Sequence, residues 1–287
     1  MNISPISNQP VELYLDKVQD QIVSYETFQL FHDKSWDMLL THPVPKNLSD
    51  YYESIDYKPH QHDSKSVFDR LYNFVRKRSY QYKFKIIKSF NPKAKSVLDY
   101  GTATGEFLSF MHKKTFSVSG VEPNKKAREI ANDLLNKKVV VSIDDVSKKY
   151  DVITLWHVLE HIPNVDEIIE KLKQKLNPNG IILVAVPNFK SFDAVYYKKY
   201  WAAYDVPRHL WHFSPKSIER LFKKHKMEVK AQKPLYFDSF YVSLLSEKYK
   251  RKHQCFMGAF ITGLRSNFKA RKTGNYASLI YVIKAKS

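Results

Sequence analysis

Along most of the chain, short apolar runs alternate with segments whose apolar residues recur at helical spacing. The first run, residues 96–100, stops at Gly101 and is followed by a helical pattern over residues 107–113. The same alternation predicts strands at residues 117–122, 139–143, 150–155 and 181–186, and helices at residues 123–135 and 165–176. Strands that alternate with helices are typical of a mostly parallel sheet with helices on both faces. The pattern therefore predicts an α/β fold.

The chain on either side of this alternation is less regular. Ser214 followed by Pro215 predicts the N-cap and first residue of a helix. Residues 235–276 are too long for a simple connection, so they are predicted to be an insertion with its own structure. The first 90 residues look irregular, with helical signals over residues 66–90. Further predicted elements are a turn at residues 177–180, an edge strand at 227–233 and a final strand at 278–283.

Two features with polar or small residues stand where predicted strands end. Asp99 closes the first strand, and residues 101–105, Gly-Thr-Ala-Thr-Gly, lead into the next helix. Small residues let a ligand approach the backbone, and a helix N-terminus offers unpaired N–H groups. Glu122 ends the second strand, where a carboxylate can accept hydrogen bonds from both hydroxyls of a ribose. Ligands on open parallel sheets bind at the carboxyl ends of strands, so both features point to one crevice.

The spacing of the small residues distinguishes between cofactors. A dinucleotide site needs Gly-x-Gly-x-x-Gly, whereas Gly101 and Gly105 are four positions apart and Glu106 follows. Residues 99–105 resemble motif I of the class I S-adenosylmethionine-dependent methyltransferases, Asp-x-Gly-x-Gly-x-Gly, with Ala103 in place of the middle glycine. Three more segments resemble that family in order and spacing: residues 121–123 (Val-Glu-Pro), residues 150–161 and the Leu-Asn-Pro-Asn-Gly of residues 176–180.

The resemblance covers about residues 96–233 and implies a Rossmann-like, mostly parallel seven-stranded sheet. Residues 185–188 and 201–214 are similar to a bacterial subgroup related to ubiquinone-biosynthesis and sugar methyltransferases. We therefore expect a methyltransferase domain at residues 91–287, with the insertion at about 235–276, and an accessory region at residues 1–90.

The resemblance also implies S-adenosylmethionine as cofactor, S-adenosylhomocysteine as product, and a set of binding residues. Asp144 is placed to contact the adenine, although a solvated loop acid is an equally good interpretation, with Ile143 or Asp145 serving instead. The remaining cofactor residues implied by the family are Asp99, Gly101, Thr102, Ala103 and Gly105 at the methionine end, Glu122 with Pro123 at the ribose, and Trp156 and His157 beside the sulfonium.

Methyl transfer from a sulfonium needs little acid–base chemistry, because the methyl is activated and the leaving group is neutral. Positioning and desolvation can supply most of the catalysis. A hydroxyl acceptor must also lose its proton, and histidine is suited to accept it near neutral pH. His157, His161 and His209 are the candidate bases, although His161 can equally serve only to brace its loop. Arg208 is a candidate for binding an acidic acceptor.

The charge balance allows two interpretations. The net charge of +18 favours acidic partners such as nucleic acid or anionic lipid, but scattered, merely solvated lysines give the same total. A basic segment at residues 248–272 surrounds the apolar residues 256–264. It predicts either contact with a membrane surface or, the interpretation we favour, a solvated helix whose apolar face covers the sheet. Its basic residues are Lys248, Lys250, Arg251, Lys252, Arg265, Lys269, Arg271 and Lys272.

Cysteine usage bears on metal binding. Cys255 is the only cysteine, which excludes an internal disulfide and a cysteine-rich zinc site. Residues 25–45 resemble the second half of the N-terminal zinc ribbon found in the subgroup, but lack its cysteines, and His32 and His42 are poor replacements. We therefore expect a metal-free remnant there and no metal in the protein. No apolar stretch reaches the roughly 18 residues of a membrane span and no secretory signal is visible, so a cytoplasmic protein is expected.

These observations favour O-methylation of a small molecule or a glycan. An RNA methyltransferase is the alternative suggested by the charge, but amino-methylating enzymes usually carry Asn/Asp-Pro-Pro-aromatic where Trp156-His157-Val158 stands here. A non-catalytic cofactor-binding scaffold is the alternative from another class, and the intact motif residues argue against it.

Overall fold

The computed structural model describes residues 2–53 and 67–286, and it divides the strands between two sheets. In chain order the strands are β1 (Glu12–Gln19), β2 (Thr27–Asp33), β3 (Met38–His42), β4 (Ser96–Tyr100), β5 (Ser117–Val121), β6 (Tyr150–Trp156), β7 (Leu176–Pro187), β8 (Trp211–His212), β9 (Met227–Pro234) and β10 (Ser278–Ala285). The helices are α1 (Asp50–Glu53), α2 (Val67–Phe90), α3 (Glu106–Lys113), α4 (Lys125–Leu135), α5 (Val165–Gln174), α6 (Phe192–Tyr197), α7 (Pro215–Lys224), α8 (Asp238–Arg251) and α9 (Phe256–Thr273).

The larger sheet has six strands in the order β5-β4-β6-β7-β10-β9. The first four are mutually parallel, and β10 lies antiparallel between β7 and β9. Successive residues of the central strands pack into the hydrophobic cores on opposite faces of the sheet. Val97 and Val152 pack on one face, and their neighbours Leu98 and Ile153 pack on the other. This burial on both faces explains the continuous apolar runs and confirms the α/β fold with helices on both faces.

One predicted strand is reduced to a single bridge. The seven-stranded expectation included residues 139–143, but only Val140 pairs with the sheet, opposite Val121. The pairing cannot continue, because Val141 is exposed and Ser142 caps a 3₁₀ turn at Ile143–Asp145 that leads the chain away. A β-branched run at the sheet's margin has a neighbour on one side only, so its sequence overstates how much of it pairs.

Two predicted elements differ from the observed ones, because a helix cap or a β-bulge determines the local structure. Helix α4 begins at Lys125 rather than at residue 123, because Asn124 caps its first turn. The predicted turn at residues 177–180 lies within β7 as a bulge: Tyr150 pairs with Leu176 and Val152 with Ile181, which leaves extra residues on β7.

The N-terminal region contains strands that its sequence pattern did not reveal. Strands β1, β2 and β3 form an antiparallel sheet completed by β8, in the order β1-β2-β3-β8. The expectation of an irregular N-terminal region was therefore wrong here, because β1 is largely exposed and its side chains do not alternate cleanly. Residues 54–66 belong to the predicted accessory region and lie outside the described residues. They include residue 66, the first residue of the helix expected at 66–90.

A buried arginine fastens this second sheet to the rest of the molecule. Arg208 is 1% exposed, and its guanidinium binds Asp20 at 3.0 Å and Asp205 at 2.7 Å and donates to the carbonyl of Tyr51 at 3.2 Å. The carboxylates that Arg208 binds are therefore the chain's own, so the hypothesis that it holds an acidic acceptor was wrong.

The insertion at residues 235–276 consists mainly of a helical hairpin. Helices α8 and α9 pack against each other and against α6. Within the described ranges, no helix combines the length and the apolar character required to cross a bilayer.

Candidate functional site

The carboxyl ends of β4, β5 and β6 meet at one edge of the large sheet, and the chain that follows β4 is fixed there by the backbone. The amides of Gly101 and Thr102 both donate to the carbonyl of Val121, at 2.8 and 3.1 Å. The loop at residues 101–105 therefore lies directly over the end of the neighbouring strand. This is the convergence that the order of strands predicts.

Close contacts and positive φ angles both require small residues in the loop at residues 101–105. Gly101 has φ of 75°, and a Cβ there would lie 2.5 Å from a methyl of Val158. Gly105 has φ of 78° and precedes α3, whose first turn receives no side-chain cap from the described residues. Ala103 also has a positive φ, 49°, which an alanine rarely adopts. The loop thus presents backbone amides at a helix N-terminus to a ligand.

Asp99 is a buried carboxyl group at the centre of this edge. It is 2% exposed and accepts a hydrogen bond from Thr154 Oγ1 at 2.5 Å. Burial raises the pKa of Asp99 to about 6, although the Thr154 bond and the charge of Lys83 oppose the shift. Lys83, on α2, is itself buried, which lowers its pKa to about 8. Its ammonium lies 4.1 Å from the centroid of the Trp156 ring.

Glu122 connects the end of β5 to the glycine loop. Its carboxylate accepts the amide of Ala103 at 2.8 Å with one oxygen and the amide of Asn124 at 2.9 Å with the other. Burial raises its pKa, and these two backbone bonds oppose that shift. Each oxygen retains a further lone pair, so the group can still accept hydrogen bonds from a ligand. Pro123, beside it, is exposed at the rim.

Asp144 lies in the 3₁₀ turn that replaces the third predicted strand. Its carboxylate is exposed, binds Lys171 Nζ at 2.9 Å and accepts from the Ser142 hydroxyl at 3.3 Å. The two residues suggested as alternatives to Asp144 for contacting the adenine, Ile143 and Asp145, have different surroundings. Ile143 is 1% exposed, and Asp145 is engaged in the capping box with Ser142.

His157 leaves β6 in the left-handed region, with φ of 56°, and is held by two acids. Its Nε2 lies 3.1 Å from Asp238 Oδ2, and its Nδ1 lies 3.5 Å from Glu160 Oε1. Burial disfavours the charged ring, but the neighbouring carboxylates of Asp238 and Glu160 prevail and raise the pKa of His157 to about 10. The ring is therefore an imidazolium at neutral pH. Its side chain is about one third exposed, at 36%.

Trp156, the residue before it, forms an apolar wall. Its ring meets Phe107 edge-on at 5.3 Å between centroids, and its indole Nε1 is buried with no hydrogen-bond partner among the residues that the structure describes. A buried donor without a partner is unusual, so this N–H is available to a ligand acceptor.

Glu160 brings the three predicted histidines together. It is 1% exposed, and one of its oxygens lies within 4.8 Å of a ring nitrogen of His161 and of one of His209. His157 reaches the same carboxylate as an ion pair. Neither oxygen of Glu160 has a hydrogen-bond partner within the described part of the chain. Two imidazoles and a carboxylate are ligands that a transition metal accepts, so these residues are the candidates for holding one.

The contacts of the two histidines opposite His157 differ. His209 Nδ1 lies 2.9 Å from the carbonyl oxygen of Ala203, which can only accept, so Nδ1 carries the hydrogen and Nε2 is left with a lone pair. His161 Nδ1 lies 3.1 Å from the carbonyl oxygen of Arg208 and 3.0 Å from the hydroxyl of Tyr52, so it has an acceptor and a possible donor beside it. Burial, together with the neighbouring His209, lowers the pKa of His161 to about 4.

Three residues of the site were not predicted. Glu160 lies inside the segment at residues 150–161 that carried the resemblance, so its position was a usable signal. Lys83 and Asp238 lie on α2 and at the start of α8, far along the chain from the motifs. Nothing in their local sequence marks them, because only the packing of those helices brings them to the edge.

Comparison with known proteins agrees with this geometry. A family model described as "Methyltransferase domain" matches residues 60–232, more than half of the chain. The chain is 28% identical over 157 residues to the ubiquinone biosynthesis O-methyltransferase of Rickettsia typhi, covering 50% of this chain and 63% of that protein. It is 22% identical to the C-methyltransferase NovU of Streptomyces niveus over 46% of this chain and 33% of that protein. The matches thus span less than two thirds of these relatives.

Solved structures share the fold. The plantazolicin methyltransferase BpumL, solved in complex with S-adenosylhomocysteine, superposes with a TM-score of 0.50 at 17% identity, over 83% of this chain and 94% of that chain. StiE O-MT superposes with a TM-score of 0.52 at 14% identity, over 78% of this chain and 79% of that chain. The family match and the shared fold show that the chain belongs to the methyltransferase-domain family, among the class I S-adenosylmethionine-dependent methyltransferases related to the ubiquinone-biosynthesis and sugar methyltransferases.

Proposed function

We propose that the protein transfers the methyl group of S-adenosylmethionine to a hydroxyl oxygen of a small molecule or a glycan. The observation that carries this proposal is the cluster of His157, His161 and His209 around the buried carboxylate of Glu160, at the edge where the cofactor residues converge. A hydroxyl acceptor needs a proton acceptor beside it, and His209 of this cluster provides an imidazole nitrogen with a free lone pair. The relatives with the name ubiquinone biosynthesis O-methyltransferase support the choice of oxygen.

The cofactor crevice divides into three parts in this proposal. When bound, S-adenosylmethionine supplies a methyl group activated by a sulfonium. Asp99 and the backbone of residues 101–105 hold its amino-acid end, because a carboxylate and a helix N-terminus can receive its ammonium and carboxylate groups. Glu122 accepts from the ribose hydroxyls, and Asp144 lies toward the adenine. Trp156 and His157 border the acceptor side and exclude water from it.

The charge of His157 decides which histidine accepts the proton. His157 is already protonated between Asp238 and Glu160, so it acts as a fixed cation that orients the cluster. His161 is neutral, but a pKa of about 4 makes it a weak proton acceptor. His209 faces a carboxylate through the nitrogen that would take the proton, since its Nε2 lies 3.8 Å from Asp205 Oδ2. We therefore assign the role of general base to His209, with His161 packed against it at 4.6 Å between ring centroids.

The accessory region at residues 1–90 supports the acceptor side in this proposal. Strand β3 pairs with β8 through Leu39 and His212, three residues beyond His209. Asp20, the residue after β1, binds Arg208, which directly precedes His209. The N-terminal sheet therefore fixes the loop that carries the proposed base, while residues 91–287 supply the cofactor crevice.

The first prediction concerns cofactor affinity. Glu122→Gln removes the charge that the ribose hydroxyls would meet, and it keeps an oxygen for only one of the two backbone amides that the carboxylate accepts. We expect it to weaken S-adenosylhomocysteine binding by about 1–3 kcal/mol, a factor of roughly 5 to 150. Isothermal calorimetry measures this, and Glu129→Gln, at an exposed position on α4, is the charge-matched control. Unchanged affinity in the Glu122 variant, or equally tight binding of NAD by the wild type, contradicts the assignment.

The second prediction concerns the charge on His157. Its pKa is raised from 6.5 to about 10, so the imidazolium stabilises the fold fully below pH 6.5, and this contribution is lost as the pH rises toward 10. His157→Asn suits the left-handed backbone and removes the charge. The difference in unfolding free energy between wild type and variant should be constant below pH 6.5 and shrink above it.

Urea unfolding at a series of pH values tests this. Lys83 titrates in the same interval, with a pKa of about 8, but it is present in both proteins. His253→Asn changes an exposed histidine and is the control for loss of an imidazole. A stability difference that does not change between pH 6.5 and 10 would mean that His157 is uncharged.

The third prediction concerns the general base. His209→Asn should lower turnover by roughly 10²–10⁴-fold while leaving S-adenosylhomocysteine affinity nearly unchanged. The measurement is S-adenosylhomocysteine production with an acceptor found by screening a library. His212→Asn is the matched control, since His212 is also buried but is bonded to Thr41 Oγ1 at 3.0 Å. If both variants lose the same activity in proportion to lost stability, His209 is structural.

The fourth prediction is that the protein works without a bound metal. The imidazolium of His157 compensates the charge of Glu160, and both rings opposite it are held by backbone carbonyls. Residues 25–45 lack the cysteines of a zinc ribbon. Elemental analysis of protein purified without a histidine tag should find well under one equivalent of any transition metal. A stoichiometric metal that His161→Ala and His209→Ala both remove would refute this and make the cluster a metal site.

A further inference from the structure

Helix α9 buries small residues and exposes large apolar ones. The residues that it buries are small: Ala259, Thr262, Gly263, Ser266 and Ala270. Its large apolar side chains are exposed instead: Phe256 (60%), Met257 (70%), Phe260 (54%), Ile261 (41%), Leu264 (47%) and Phe268 (65%). A solvated helix on a globular protein shows the opposite arrangement. The expectation that this apolar face covers the sheet was therefore wrong.

The exposed residues form one continuous face. At about 100° per residue, the six large side chains fall within an arc of roughly 140°, and the five buried small residues occupy the opposite side. We call the exposed set, Phe256, Met257, Phe260, Ile261, Leu264 and Phe268, the apolar face of α9. The apolar face is larger than the single exposed apolar residues that any surface carries, and such patches mark interaction sites.

Packing fixes the helix in this orientation. A Cβ on Gly263 would lie 2.6 Å from the ring of Phe240 on α8, so only glycine permits this approach. Ser266 donates to Asp193 of α6 at 2.6 Å, and Ser239 of α8 donates to the carbonyl of Gly263 at 3.3 Å. Rotating α9 to bury its apolar face would break these contacts. The outward face is thus a property of the native packing.

The surroundings of the apolar face are strongly cationic. Residues 238–273 contain eight lysines and arginines but only two acids, Asp238 and Glu247. Asp238 pairs with His157, and Glu247 is 1% exposed and pairs with Arg251. Both acids are thus engaged, and most of the positive charge is not balanced within the hairpin.

A groove beside the apolar face combines both chemistries. It has a volume of about 650 Å³ and is lined by the aromatic residues Phe192, Tyr236 and Phe268, by Leu264 and Asn267, and by Arg265, Lys269 and Arg271. Apolar walls with three cations fit an amphiphile that carries a negative head group.

We propose that the α8–α9 hairpin docks the protein on the surface of a membrane that contains anionic lipid, with the apolar face of α9 buried in the interface and the basic residues at the head groups. Charge favours this occupant over a second copy of the chain. A two-fold symmetric dimer places the same patch on both sides, so the cations of two hairpins would repel each other. Anionic lipid supplies the opposite charge over the whole patch.

The test is cosedimentation of the full chain with vesicles of one part phosphatidylglycerol to two parts phosphatidylcholine. We expect binding that weakens as salt is added and is lost on pure phosphatidylcholine, because the basic residues interact through screened charge. The variant with Met257→Ser and Phe268→Ser should bind these vesicles roughly tenfold less tightly or worse, since it removes two of the most exposed apolar side chains of α9.

The matched control is Leu134→Ser with Val141→Ser, at exposed apolar positions away from the hairpin (48% and 51% exposed), which should bind as the wild type does. S-Adenosylhomocysteine affinity, unchanged in both variants, shows that the fold is retained and separates this test from that of the proposed function. Failure of the wild type to bind the anionic vesicles overturns the proposal. So does a dimer in lipid-free solution that the Met257 and Phe268 substitutions dissociate, because the apolar face would then join two copies.

Discussion

The charged ring of His157 holds together the parts of the molecule that the chemistry needs. It follows β6 at the carboxyl edge of the large sheet, contacts Glu160 at the centre of the histidine cluster, and pairs with Asp238 at the first residue of α8. Among the described residues His157 is the ion-pair partner of the buried carboxylate of Glu160, and a buried charge that loses its partner is costly. The proposed cofactor crevice, the proposed acceptor side and the α8–α9 hairpin therefore meet at one side chain.

Much of the geometry at the carboxyl ends of β4 and β5 followed from local sequence. Asp99 and Glu122 were identifiable because each ends a short apolar run, and the carboxyl ends of adjacent parallel strands must meet. Gly101 was identifiable because it stops the first apolar run and opens the run of small residues that leads into the next helix. These inferences needed only the order of elements along the chain, and the order is what periodicity reports reliably.

The periodicity of apolar residues does not show whether the apolar face of a helix points to the core or to the solvent. The apolar spacing of α9 is the same whether its large residues face the core or the exterior, and only the contacts of Gly263 with Phe240 and of Ser266 with Asp193 decide the matter. Strand β1 was missed for a related reason: it is mostly exposed, so polar residues occupy both of its faces. Residues that act through distant packing, such as Asp238, leave no local signal at all.

The acceptor side is thus assembled from segments with very different constraints. Glu160 and His161 come from a motif fixed by the main sheet, whereas His209 sits between Arg208 and β8, both of which are fastened to the N-terminal sheet. The position of His209 relative to Glu160 therefore depends on how the two sheets are joined, a long-range constraint carried by the buried contacts of Arg208 with Asp20 and Asp205. A change in the N-terminal region that leaves every cofactor residue in place can still displace this histidine. The proposed cofactor crevice is consequently the local part of this site, and the proposed acceptor side is the part that only the complete fold defines.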